Sequence, residues 1–204
     1  IVLRIMGLLQ VLILARFLKP SDFGLMGVAL LLTSSIETFS EVGLNQALIQ
    51  QKGNLDNLVR DTAWTVAVLR GILIGLIIFS SAPLVSYLFD SPEAIPLVHA
   101  ISITSVLQGF INIAVVQFQK ELEYRKQFLY QLIPVVSSFC VSLLFLVFIR
   151  NVWVLVISAI VDRIARLILS YLIHPYRPRF RLDWERFRKL LSFGKWLQAD
   201  GIVI

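Results

Sequence analysis

The sequence of 204 residues is 57% hydrophobic and 16% charged, well below the roughly 25% charge of an ordinary soluble domain. A soluble globule of this length would need a larger polar surface, so that class is excluded. A net charge of +6 would point to nucleic acid in a soluble protein, but the basic residues sit in a few loops between apolar runs, which makes membrane orientation the explanation and leaves no nucleic-acid partner.

The apolar runs are about 20 residues long, enough to cross a hydrocarbon core of roughly 30 Å. Six are drawn in chain order, at residues 1–18, 23–49, 62–89, 95–118, 128–149 and 152–173, and a seventh begins near Trp196. The first opens at Ile1 already inside an apolar stretch and residues 201–204 start another, so the chain reads as a piece cut at both ends. Residues 1–18 lack the small-residue cleavage site of a signal peptide. The second run carries Glu37 and Glu41 beside Thr33, Ser34, Ser35, Thr38 and Ser40, small hydroxyl residues that either hydrate a cavity or pack helix against helix. The third carries Arg70 and is long enough to tilt or to break at Pro83, where the ring removes a backbone hydrogen bond. The fourth and fifth hold no Asp, Glu, Lys or Arg and are the plainest spans. Cys140, in the middle of the fifth, has no disulfide partner or metal-ligand spacing and reads as a small core residue. The sixth carries Asp162, Arg163 and Arg166.

Twelve Lys and Arg follow the second, fourth and sixth runs, against three on the opposite side, which places the first group and the N-terminal side in the cytoplasm. From Asp183, a candidate N-cap, Trp184, Phe187, Leu190 and Leu191 recur at helical spacing while Arg186, Arg188 and Lys189 face elsewhere. That pattern describes an amphipathic helix on the inner leaflet, its basic side toward anionic membrane lipids, or a linker helix between two bundles. The expected fold is therefore all-α: a polytopic membrane helix bundle of six transmembrane helices plus an interfacial amphipathic helix. An N-terminal lobe occupies residues 1–174, a basic cytoplasmic linker 175–195, and the start of a seventh helix 196–204. Six helices and a linker suit the first lobe of a two-lobe transporter.

Charges at membrane depth are the functional pointers, because a lipid-facing charge is costly and persists where it faces a cavity or a partner. At 1.5 Å per helical residue, Glu37 and Arg4 lie at a common level, roughly 21 Å below the outer edge for Glu37. Arg70 stands about 12 Å above the inner edge and Arg166 roughly 21 Å down. Four helices thus supply charges to one layer in the cytoplasmic half. Glu37 and Glu41 share a face and would repel unless Arg70 or Arg4 relieves them; Asp162 and Arg166 have the spacing of an intrahelical pair. Three readings stay open: a structural ion-pair network, arginines (Arg4, Arg70, Arg163, Arg166) lining a wet cavity that meets an anionic substrate group, or Glu37, Glu41 or Asp162 binding a coupling proton or sodium ion. His99, near the outer end of the fourth run, is a weaker pointer. No nucleotide-binding glycine loop, metal-ligand spacing or nucleophile elbow occurs, so no cofactor, metal or catalytic residue is expected.

The stretches ARFLKPSDFG at 15–24 and EVGLNQALIQ at 41–50 resemble the first two helices of bacterial polysaccharide-biosynthesis flippases, in the superfamily of the multidrug and oligosaccharidyl-lipid exporters. FQKELEYRKQF at 118–128, the Trp153, Val154, Leu155 start of the sixth run, and PYRPRF at 175–180 fall where that family has similar residues. The resemblance implies a two-lobe transporter in the bacterial cytoplasmic (inner) membrane that moves undecaprenyl-pyrophosphate-linked oligosaccharide outward for polysaccharide export, with a cationic cavity for the pyrophosphate and sugar. On that analogy Arg4, Arg70 and Arg166 are candidate contacts. The alternatives are a drug or cation extruder of the same superfamily, which an arginine-rich cavity disfavours, and a membrane-embedded glycosyltransferase or polymerase. An enzyme of that kind usually needs a sizeable outer loop, and the longest here is 90–94.

Overall fold

The computed structural model describes residues 2–40, 48, 56–185, 187 and 188. Helix α1 (Val2–Phe17) is followed by α2 (Pro20–Ser40), which starts at a proline whose missing N–H no first turn requires. Asp22 secures that start by accepting from the Lys19 N–H at 3.0 Å. Helix α3 (Asn57–Leu88) is capped by the Asp56 side chain and runs unbroken through Pro83. Next come α4 (Ala94–Phe110), a 3₁₀ turn (Ile113–Val116), the short α5 (Gln117–Lys120), α6 (Tyr124–Phe148) and α7 (Trp153–Ile173).

The six longer helices stand where the six apolar runs lie, and the described residues form no strand. Helices α2, α3 and α6 are long and apolar enough to cross a membrane, and α4 joins them if it is taken with the bent segment after it. Helix α1 has 16 described residues and α7 carries three charges within its 21, so length and composition alone stop short of six. The outward faces are apolar: Leu8 and Leu12 on α1, Leu73 and Leu76 on α3, and Val147 and Phe148 on α6 are exposed. A hydrocarbon surround satisfies such faces, since each helix keeps its own backbone hydrogen bonds.

Three apolar clusters hold the bundle together. Met26 and Ala29 of α2, Ile74 and Ile78 of α3, Leu97 and Ile101 of α4 and Val156 of α7 form the largest. Leu14 of α1, Leu146 of α6 and Val154 of α7 form a second, and Val59, Trp64 and Val68 of α3 meet Leu48 and Ile113 in a third. Helices α3 and α4 cross backbone to backbone. A Cβ on Gly71 would lie 2.8 Å from the Gly109 Cα, and one on Gly109 would lie 2.8 Å from the Ala67 carbonyl. Small residues permit this approach, which is how membrane helices gain packing contacts without a hydrophobic driving force between them.

Two expectations change. The fourth apolar run is not one straight span, because the chain bends by 71° between α4 and the Ile113–Lys120 segment. The cause is Asn112, whose carboxamide oxygen accepts from the Ala114 N–H at 3.0 Å and starts a new turn. The Phe110 carbonyl left behind accepts from the Tyr171 hydroxyl at 3.0 Å and the Trp64 indole at 3.4 Å. Cys140 is exposed on α6, not buried in the core, because an apolar run looks alike whether it faces lipid or protein. Glu41, the linker beyond Arg188 and the start of the seventh helix lie outside the described residues.

Candidate functional site

The polar side chains of the apolar helices converge on a cavity of about 460 Å³. Helix α2 supplies Ser34, Glu37 and Thr38, α3 supplies Arg70, α4 supplies Ser105 and Gln108, α6 supplies Tyr130, and α7 supplies Arg163 and Arg166. The bend after α4 closes one end with Asn112 and Ile113. A second cavity of about 400 Å³ adjoins it and shares Ser34, Glu37 and Arg163.

The three arginines of this cavity are held differently. Arg70 donates to the Glu37 carbonyl at 2.8 Å and to the Ser40 hydroxyl at 3.2 Å from Nε and 3.1 Å from Nη2. Arg166 is paired along its own helix with Asp162, at 2.7 Å from Nε and 3.2 Å from Nη2, as its i,i+4 spacing predicts. Arg163 donates at 2.8 Å to Gln108, a neutral amide that orients the guanidinium without cancelling its charge. The Glu37 carboxylate accepts from the Ser105 hydroxyl at 2.8 Å, so α2 and α4 meet through a charge-assisted bond. Arg163, held by a neutral amide, keeps its charge and presents the planar fork that matches phosphate geometry.

The structure therefore brings Glu37, Arg70, Arg163 and Arg166 to one cavity, with Asp162 beside it as partner to Arg166. Arg4 is exposed on α1 and is not among the lining residues. Of the hydroxyl cluster, Ser34 and Thr38 line the cavity, Ser40 holds Arg70, and buried Thr33 bonds back to the Ala29 carbonyl at 2.8 Å. His99 stacks on Phe79 with ring centroids 3.9 Å apart. Ser105, Gln108, Tyr130 and Asn112 escape a reading that follows charge. Their only sequence signal is polarity without charge: Ser105, Gln108 and Asn112 stand in the fourth run together with Ser102, Thr104 and Gln117, and Tyr130 near the start of the fifth.

The segment after α7 also builds polar structure. His174 accepts at Nδ1 from the Tyr176 N–H and bonds Gln117 through Nε2, both at 3.1 Å. Burial, then the Arg60 and Lys126 cations, hold its pKa below the usual value. Tyr176 donates to Asp61, and burial together with that carboxylate pushes its phenol well above the ordinary range.

Apolar outer faces around a cationic, hydroxyl-lined cavity define a helical membrane protein with a polar chamber in its interior. The chain matches the polysaccharide biosynthesis protein family over residues 13–204, and it belongs to that family. It is 26% identical to the lipopolysaccharide biosynthesis protein WzxC of Escherichia coli K12 over 97% of this chain and 40% of that protein. It is 28% identical to the succinoglycan biosynthesis transport protein ExoT of Rhizobium meliloti over 94% of this chain and 38% of that protein. An uncharacterised membrane protein in the cps region of Klebsiella pneumoniae is 24% identical over 98% of this chain and 41% of its own length. The chain thus spans about two fifths of the length of these curated relatives. No solved structure matches.

Proposed function

We propose that this chain belongs to a flippase of the cytoplasmic membrane, which moves undecaprenyl-pyrophosphate-linked oligosaccharide from the inner to the outer leaflet for polysaccharide export. The observation that carries the reading is the convergence of Arg70, Arg163 and Arg166 on one cavity between helices. Arg163, oriented by a neutral amide, is the group best placed to meet a pyrophosphate. Tyr130 and Gln108 on the same walls offer a ring face and an amide to sugar. The protein acts as a carrier and not as an enzyme, with a second lobe completing the pathway and the lobes rocking about the chamber. Glu37, bonded to Ser105 and shared by both cavities, is the leading site for a coupling proton or sodium ion, with Asp162 and Glu41 as further candidates.

The test is export of lipid-linked glycan by full-length variants. A charge-assisted hydrogen bond contributes roughly 1.5–3 kcal/mol, so Arg163→Ala should lower export by about tenfold or more at unchanged membrane level, and Arg163→Lys should restore only part. Arg4→Ala, outside the cavity, should export normally. Normal export by the Arg70→Ala, Arg163→Ala and Arg166→Ala variants alike would remove the reading.

A further inference from the structure

The chain leaving α7 does not hang free; it runs back along the first turns of α3. There, Asp61 is 4% exposed, Thr62 0% and Thr65 8%. A buried carboxylate with two buried hydroxyls at the start of an apolar helix needs partners, because an unmet polar group is costly away from water. The returning segment supplies them. Asp61 Oδ1 accepts from the Tyr176 hydroxyl and, at 2.9 Å, from the Arg179 N–H. The Arg181 N–H donates to Thr65 Oγ1 at 3.1 Å and the Asp183 N–H to Thr62 Oγ1 at 3.2 Å. Three alternate backbone donors thus bond to side chains of one helix, in the way a strand would bond to its neighbour. Phe180 packs on Trp64 with ring centroids 4.7 Å apart, and Asn112 at the bend donates to the Tyr176 carbonyl at 2.8 Å. Pro175 and Pro178 contribute no N–H, so the segment brings two fewer backbone donors that need partners.

Arg70 stands nine positions beyond Asp61 on the same continuous helix, about 13 Å along its axis. We infer that residues 174–183 form a fixed strap, and that Asp61 is a positioning residue of the cavity: force on the chain beyond Asp183 reaches the Arg70 wall through α3. The strap takes up the first part of the basic linker read at 175–195. Its second part, the effect on the cavity, rests on the transport reading above.

Hydrogen–deuterium exchange of the full-length protein in lipid nanodiscs tests the strap without any transport assay. The amides of Arg179, Arg181 and Asp183 should exchange slowly in the wild type and at least about tenfold faster in Asp61→Ala. Asp61→Asn keeps the Oδ1 acceptor and should restore most of the protection. Thr65→Val, which removes the acceptor of Arg181 and the hydroxyl's own bond to the Asp61 carbonyl but leaves the Asp61 carboxylate, gives a milder local effect should Asp61→Ala fail to fold. Wild-type amides exchanging at free-peptide rates would overturn the strap. Glycan export should fall in Asp61→Ala and recover in Asp61→Asn; lost protection with unchanged export would overturn the positioning role. Normal export by the arginine variants would sink the cavity reading while slow exchange left the strap standing, so the two failures are distinguishable.

Discussion

At the scale of single residues, His174 is a group whose ionisation the fold opposes near neutral pH. Its neutral ring accepts from the Tyr176 N–H at Nδ1, which assigns the ring hydrogen to Nε2 facing Gln117. A second ring proton would confront that N–H and add charge beside Arg60 and Lys126, against which Glu121 and Glu123 exert a weaker opposite pull. The folded pKa lies below the ordinary 6.5, so the unfolded chain binds more protons in the window beneath it. This contribution to stability is present above about pH 6.5 and is lost as pH falls through the folded pKa. Between about pH 7.5 and 5.5, the melting temperature of the wild type in detergent should fall more steeply than that of His174→Asn. An identical slope in both would remove His174 from the account.

The glycines that bring α3 and α4 together matter at the scale of elements. A β-carbon at Gly109 would meet the Ala67 carbonyl at 2.8 Å, and a carbonyl on a helix cannot swing aside. Gly109→Val should therefore cost about 1–3 kcal/mol through overpacking and move the α3 wall that carries Arg70 away from the α4 wall that carries Ser105, with reduced yield of folded protein and reduced export. Gly24 has nothing within 4 Å of its added Cβ, so Gly24→Ala should be neutral or stabilising by up to about 1 kcal/mol through helix propensity; thermal unfolding of both variants decides. The positions of these elements were legible because apolar length reports the span itself. The rotation of each helix was not. Counting 1.5 Å per residue gives depth alone, which put Arg4 level with Glu37, whereas α1 packs against α6 and α7 away from the cavity wall. Charges in apolar runs stand out, so Glu37, Arg70, Arg163 and Arg166 could be found. Ser105, Gln108 and Tyr130 could not, since uncharged polar residues also serve packing. The bend at Asn112 stayed hidden because it rests on bonds to Ala114 and, far along the chain, Ser170 and Tyr176.

For the whole molecule, the contacts sort the loops to two ends, and the charge follows that sorting. At one end His174 meets Gln117, Tyr176 meets Asp61, and Phe118 lies under Lys126; Arg60, Arg125, Arg177, Arg179 and Arg181 belong to these segments. The other end is tied by the Leu14, Leu18, Phe23 and Ile149 cluster and by Val85 against Ala94 and Val152. It carries Arg16, Lys19 and Arg150 among the acids Asp22, Asp90 and Glu93. A net basic end is retained on the cytoplasmic side during insertion, so the strap, the bend after α4 and the end of the cavity beside Asn112 should all face the cytoplasm. Arg125 and Glu93 are exposed at opposite ends, and single cysteines there, in a Cys140→Ser background, report the orientation. A membrane-impermeant maleimide should label Arg125→Cys in inverted vesicles and Glu93→Cys in spheroplasts. The reverse pattern would turn the bundle over. It would then put the Arg70, Arg163 and Arg166 chamber in the outer half, where a carrier that collects its anionic substrate from the inner leaflet has no use for it.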